Sequence, residues 1–411
     1  MEFLADFHVH SKYSIATAGD ADLNGYYKWA QIKGVSLVGT GDFTHPEYFR
    51  EISKSLEESD GGLLAIREDL CVIKDNNAPE RCRTEVRFVP TAEISCIYKR
   101  GGRTRKVHNI IVAPSLKSAT KISEKLEKIG NIASDGRPIL GLDSEDLLKI
   151  VLDAGDGAFL IPAHIWTPHF SILGEKSGFD TIEECFGTVS DNIFAAETGL
   201  SSDPKMNWRV SALDRITLVS NSDAHSPSKL AREANIFNCA LSYKSVKHAL
   251  MSGDGFDGTI EMFPEEGKYH LAGHRKCSVR LNPAESKKLN HICPVCGTPV
   301  TPGVLARVDE LADRPEGQKP KKAKKYESLV PLAEIIAISI GKGPKTKSVS
   351  NIYWKLLRDL GNELHILRIA DRDAIARSAG EKIADAVLKV RAGKVEVIGG
   401  FDGRYGTVKI L

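Results

Sequence analysis

From Met1 to about Ser252 the chain repeats one arrangement, a strand-length apolar run followed by an amphipathic stretch. The runs Phe3 to Val9, Ser36 to Gly39, Val86 to Pro90, Asn109 to Val112, Phe159 to Ile161 and Leu218 to Ser220 are too short for helices, and helical segments such as Asn24 to Gly34 separate them. Strands alternating with helices predict a largely parallel sheet, open or closed as a barrel. Sites in such folds form at the carboxyl ends of the strands, and the polar residues of this chain fall there. With 411 residues the chain suits two or three domains, and its 42% hydrophobic and 27% charged content predicts burial rather than disorder.

The first run continues into Asp6-Phe7-His8-Val9-His10-Ser11. Residues two apart in an extended segment share a face, so His8 and His10 can converge on one ion with Asp6 in support. One His-x-His is a weak signal, but it recurs in kind. Thr40-Gly41-Asp42, Glu93, His108, Pro162-Ala163-His164 and Asn221-Ser222-Asp223-Ala224-His225 also adjoin apolar runs, and five of the 12 histidines sit at these ends. Imidazoles and carboxylates without thiolates suit zinc, manganese or iron(II). A polynuclear site of that kind predicts phosphoester hydrolysis.

This order of motifs resembles the PHP superfamily, named for polymerase and histidinol phosphatase, whose members fold as a distorted (β/α)7 barrel. The resemblance implies two or three divalent metals in the active site (Zn2+, Mn2+ or Mg2+). It makes His8, His10, Glu93 and Asp223 the ligands of one ion, and Glu93, His108 and His164 those of a second, with Glu93 bridging. His225 and Asp42 would serve a third. The chain departs from the usual pattern by carrying Asp42 where Thr-Asp-His would place histidine.

Beyond Gly253 the texture changes to Gly, Pro, His and Cys. His274-x2-Cys277 and Cys293-x2-Cys296 are two knuckles separated by 15 residues, the pattern of a closed structural Zn2+ site. His274 fits the knuckle spacing best, with His270 and His291 close by. The predicted organisation is a PHP catalytic barrel over 1–252, a small zinc-binding module over 253–315, a basic linker over 316–325 and a C-terminal mixed α/β, DNA-contacting region over 326–411. In that last region an apolar segment from Leu329 to Ile340, helices near Val349 to Gly361 and Arg372 to Arg391, and a closing Gly-rich strand pair are expected. A PHP barrel followed by this knuckle pair, by Gly303 to Arg314 and by Gly400-Phe401-Asp402-Gly403-x-Tyr405-Gly406 resembles the endonuclease Q family. That likeness implies a DNA repair endonuclease that cuts the phosphodiester 5′ to deaminated bases (uracil, hypoxanthine, xanthine) or abasic sites.

A lesion-reading enzyme needs a pocket for an unstacked base. The loop Ile165 to Ser171 follows His164 and offers Trp166, His169, Phe170 and Ser171 to it, or else packs back with Trp166 as core. Glu197 and Asp203 follow another apolar run, as orienters or a catalytic general base, or as caps of the next helix. Arg100 and Arg103, with Lys99, Arg105 and Lys106, flank a Gly-Gly turn, and five lysines crowd Gly317 to Lys325. Such clusters are phosphate-binding rims or simply solvated surface. Lys342, Lys345 and Lys347, ahead of Tyr353 and Trp354, make a further phosphate grip. Two other readings compete: a PHP phosphatase for a small phosphate monoester, which needs neither zinc module nor basic rims, and a metal-free DNA-binding accessory. With no signal peptide, no long apolar run, and Cys71, Cys82, Cys96, Cys185 and Cys239 scattered singly, a reducing cytoplasmic setting without membrane contact is expected.

Overall fold

The structure, a computed structural model, describes residues 2–67, 78–155 and 157–411. Cys71 therefore lies outside the described residues. An eight-stranded sheet runs in the order Lys325–Ser328, Phe256–Glu261, Ala234–Asn238, Glu2–Asp6, Leu37–Gly39, Arg87–Val89, Leu63–Ile66 and Leu56–Ser59. At its centre Glu2–Asp6, Leu37–Gly39 and Arg87–Val89 are parallel, as the alternation predicts. The flanks are not, because Ala234–Asn238 pairs antiparallel with Glu2–Asp6 and Leu63–Ile66 with Arg87–Val89.

A second sheet is built on one long hairpin. Thr91–Arg100 and Arg103–Val112 pair antiparallel along their whole length, and Phe159–Pro162 joins the second strand. Gly101 and Gly102 make the turn at φ of 60° and 73°. Two successive positive φ values match the twist of a tight hairpin and suit glycine. Ala195–Glu197 and Thr217–Val219 form a parallel pair, and a parallel bridge from Val9 to Ala224 brings the chain after them beside the first strand. Phe7, Leu37, Val89, Ile110, Ile161, Ala195 and Val219, drawn from both sheets and the parallel pair, bury into a single apolar cluster.

The main sheet does not stop at Ser252. Phe256–Glu261 and Lys325–Ser328 extend it, so neither expected boundary interrupts its hydrogen bonding. The Gly- and Pro-rich texture around Gly253 hid a six-residue strand that tertiary pairing stabilises. Between those strands lies a ribbon of Ala272–His274 and Val279–Leu281. Its buried core is Ala272, Leu281, Cys293 and Val300, too little apolar surface to hold a fold unaided.

The C-terminal region is helical: Leu332–Ile340, Lys347–Leu360, Glu363–Arg368, Arg372–Ala379 and Glu381–Arg391, closed by the hairpin Val395–Ile398 and Thr407–Ile410. The helix expected from Arg372 to Arg391 is broken at Gly380, where φ is 94°. These helices share one apolar core with Leu23–Lys33, the helix after the first strand. A buried ion pair fixes the junction, Lys33 Nζ lying 2.7 Å from Glu363, which also accepts from Tyr353 Oη at 2.6 Å. Removing one partner of such a pair typically costs about 3–5 kcal/mol. Among the described residues no helix is long and apolar enough to cross a membrane.

Candidate metal centre

Backbone pairing assembles the site. His8 and His10 flank Val9, whose bridge to Ala224 sets Asp223 and His225 directly alongside. The hairpin register places Glu93 opposite Ile110, so His108, two residues before Ile110 on the same face, is its diagonal neighbour. The Ala163 N–H donates to the carbonyl of His108 and draws His164 to the same spot.

Two groups of potential ligand atoms result, each within 4.8 Å: His8, His10 and Asp223, and Glu93, His108 and His164. Glu93 joins them through its two oxygens. Oε2 lies 3.4 Å from His8 Nε2 and 3.2 Å from His10 Nε2, while Oε1 lies 2.7 Å from His108 Nδ1 and 3.1 Å from His164 Nε2. His8 Nε2, His10 Nε2 and Asp223 Oδ1 are buried with no hydrogen-bond partner. Orphaned polar atoms cost about 1–3 kcal/mol each, so a cluster of them aimed at one point fits a cation. The nitrogen and oxygen donor set fits a divalent metal.

Each histidine of the first group is held from behind. Both Glu197 oxygens lie 3.0 Å from His8 Nδ1, and Asp42 Oδ1 lies 3.2 Å from His10 Nδ1. A carboxylate only accepts, so Nδ1 carries the proton and Nε2 presents its lone pair. Burial opposes the imidazolium at His8, but Glu197, Glu93 and Asp223 outweigh it and raise its pKa well above the ordinary value. Glu93 is likewise disfavoured by burial as an anion, yet His108, His8 and Arg137 hold it well below the carboxylate range.

These contacts place three further expected residues. Asp42 is held within a hydrogen-bond network: Ser11 N–H, Ser11 Oγ and Ser14 Oγ donate to its Oδ2 at 2.6, 2.7 and 2.8 Å, and Oδ1 faces His10 Nδ1. Glu197 is fully buried and also accepts the His164 N–H at 2.8 Å and Asn221 Nδ2 at 2.9 Å, contacts that match the orienting alternative. Asp203 caps Pro204–Asn207 by accepting the Met206 N–H, the helix-cap alternative. His225 stands half-exposed, 4.5 Å from the His10 ring, its Nδ1 on the Asp223 carbonyl.

The loop after His164 divides. Trp166 is 1% exposed and its Nε1 donates to Asn207 Oδ1 at 2.8 Å, so it packs as core, the second of the two sequence alternatives. Ser171 is buried with Oγ donating to the Thr167 carbonyl. Phe170 stays partly open, 4.8 Å from the His108 ring with Lys106 over its face, and His169 is exposed. Arg100 is committed to Asp143 and Glu145, whereas Arg103 is exposed at the hairpin tip.

Arg137 and Gly199 escaped the sequence reading. Arg137 lies 3.2 Å from Glu93 Oε2 and remains partly exposed, a cation at the mouth of the site. Its segment, Asp135-Gly136-Arg137-Pro138, belongs to no periodic element and gave no signal. Gly199, at φ 64°, lies so close to His164 that a Cβ there would sit 2.4 Å from the His164 Cβ. Asp42, His164 and Asp223 also adopt positive φ, of 45°, 30° and 47°. Such strain clusters at functional sites.

A second donor set lies in the ribbon. The ligand atoms of His274, Cys277, Cys293 and Cys296 all fall within 4.8 Å of one another, whereas His291 Nδ1 pairs with Ser286 Oγ at 3.0 Å. Three sulfurs and one imidazole suit a tetrahedral structural ion. The closing segment docks on this ribbon, Asp402 accepting the Arg275 N–H at 2.5 Å and Thr301 Oγ1 at 2.6 Å.

Residues 331–394 match a family model described as the MJ0043 C-terminal domain. The chain is 35% identical over 256 residues to the uncharacterized protein MJ0043 of Methanocaldococcus jannaschii, covering 59% of this chain and only 31% of that relative's length. It is 30% identical over 389 residues to the uncharacterized protein YqxK of Bacillus subtilis, covering 92% of this chain and 89% of that one. Among solved structures, the lesion-specific endonuclease PfuEndoQ from Pyrococcus furiosus aligns at a TM-score of 0.86 and 31% identity, over 100% of this chain and 96% of its own. Endonuclease Q in complex with a 27-mer duplex substrate bearing an abasic lesion at its active site aligns at 0.84 and 31%, over 100% and 97%. At that identity and coverage, the chain belongs to the endonuclease Q family.

Proposed function

We propose that this protein is a DNA repair endonuclease that hydrolyses the phosphodiester on the 5′ side of a deaminated base or an abasic site. The observation that carries the reading is the pair of ligand groups sharing Glu93, in a chain that matches a lesion-specific endonuclease from end to end. Alternating strands and helices whose strands bury into one apolar cluster support the distorted (β/α)7 barrel as the scaffold.

His8, His10 and Asp223 would hold one divalent ion, His108 and His164 a second, and Glu93 has an oxygen toward each group. Ions there supply the charge neutralisation and water activation that phosphodiester hydrolysis needs. Glu197 and Asp42 fix the protonated Nδ1 of His8 and His10, and Arg137 meets the scissile phosphate at the open side. His225, with no second ligand at Asp42, contacts the phosphate at the rim through its free Nε2. A zinc ion in the Cys3His set would hold the ribbon, and beside it the exposed Tyr405, with Lys268 5.6 Å from its ring, would contact the duplex, as would the partly open Phe170 near His108. A phosphatase for small monoesters would leave the ribbon and these aromatics without a task.

His8→Ala and Asp223→Ala test the reading. Both should abolish nicking of a deoxyuridine duplex while DNA binding stays within a few-fold of wild type. A variant that still cuts at near wild-type rate removes its residue from the site.

A further inference from the structure

A cavity of about 910 Å3 lies away from the metal centre, between the segment Gln318 to Lys325 and the chain from Pro204 to Leu218. Its walls include Arg215, Ile216 and Thr217, where the strand Thr217–Val219 begins, whereas the metal ligand Asp223 follows that strand's other end. It therefore opens at the amino end of the strand, remote from the scissile site.

Charge in this cavity is one-sided. Seven basic side chains and a single carboxylate, Asp214, line it. Asp214 is already paired with Arg314, and Arg215 with Glu183. Lys319, Lys321, Lys322, Lys324 and Lys325 are all exposed, and among the described residues none forms an ion pair with a carboxylate. Lys319 lies over the Trp208 ring at 5.3 Å and Lys324 Nζ donates to the Gly253 carbonyl at 2.6 Å. Those two contacts pin the strap across the cavity mouth. A flexible solvated linker would not keep five like charges along one concave wall, since their mutual repulsion favours extension away from it.

We propose that this cavity is a second anion site that takes a run of phosphate groups, from a single-stranded DNA tail or from a free polyphosphate. Lysine ammonium groups act as point charges toward phosphate oxygens, so five of them along one wall suit several phosphates in sequence. The site is independent of lesion cleavage, because no residue of the metal centre lines it.

The test is a lysine footprint on the full-length protein. Amine acetylation is followed peptide by peptide, with (dT)12 or inorganic tripolyphosphate as probe and exposed Lys54 and Lys128 as internal controls. At least one probe should slow modification of Lys321 and Lys322 five-fold or more, leave the controls unchanged, and do so equally in the His8→Ala variant. Protection by (dT)12 identifies a DNA tail as the source, and protection by tripolyphosphate alone identifies a free polyphosphate. In the first case, Lys321→Glu with Lys322→Glu should also weaken (dT)12 binding and reduce the slope of log affinity against log salt by about 1.4, at roughly 0.7 per phosphate contact on a single strand. No protection by either probe, or protection only by an acidic peptide such as poly-glutamate, overturns the proposal.

Discussion

Replacing Glu197 with glutamine separates orientation from chemistry. The carboxylate accepts from three donors, His8 Nδ1, Asn221 Nδ2 and the His164 N–H. A side-chain amide has one accepting oxygen, so its NH2 must face one of those donors whichever way it is placed. Glu197 holds the His8 imidazole and the His164 backbone, and those residues belong to different ligand groups, so both ions should feel the change. Losing a support of this kind typically weakens metal affinity 10- to 100-fold, about 1.4–2.7 kcal/mol. Metal-stripped Glu197→Gln, titrated with Mn2+ against a fluorescent chelator, should bind that much more weakly than wild type. Nicking should fail at limiting metal and recover substantially in excess. Unchanged metal affinity together with a nicking defect that excess metal cannot rescue would make Glu197 a general base instead, and would refute the orienting role.

Four further outcomes follow from the same contacts. Cys293→Ser with Cys296→Ser should release about one equivalent of zinc and lower the melting temperature, measured by elemental analysis and calorimetry, because the ribbon has little core of its own. Phe170→Ala should lose stacking of about 1–3 kcal/mol, so cleavage at deoxyuridine should fall roughly 5- to 150-fold while an abasic duplex, with no base to stack, suffers much less. Trp166→Ala should instead depress both substrates together and destabilise the fold by about 3–5 kcal/mol, as expected for a large core side chain. Glu363→Ala should lower the unfolding free energy. Burial opposes the Glu363 carboxylate, but Lys33 and Tyr353 outweigh it and depress its folded-state pKa, so the wild-type advantage is full above the ordinary carboxylate range and drains away as pH falls through and below it, as denaturant melts across pH will record.

The residues of the two donor groups were legible because strand ends impose geometry: a short apolar run that closes on His-x-His or Asp-x-His points its polar residues one way. Which atom each residue turns to the ion was not legible. Asp42 reads as a ligand in the motif, yet at φ 45° its carboxylate is surrounded by Ser11, Ser14 and the far side of His10. Trp166 reads equally well as pocket wall or core, and the choice falls to Asn207, 41 residues away, which takes its indole N–H. The strand Phe256–Glu261 was hidden by the glycines around it, since its partners lie in other parts of the chain. Arg137 is brought to Glu93 by a loop with no pattern of its own.

The central claim is lesion-directed cutting at the metal centre. The direct measurement is incubation of the purified protein and a divalent metal with a labelled duplex carrying a single deoxyuridine, beside abasic and undamaged duplexes, with products sized on a denaturing gel. A single nick on the 5′ side of the lesion, absent from undamaged DNA and abolished by a chelator, is the predicted result. Intact lesion-bearing duplexes in the presence of metal, or cutting that ignores the lesion, would contradict it.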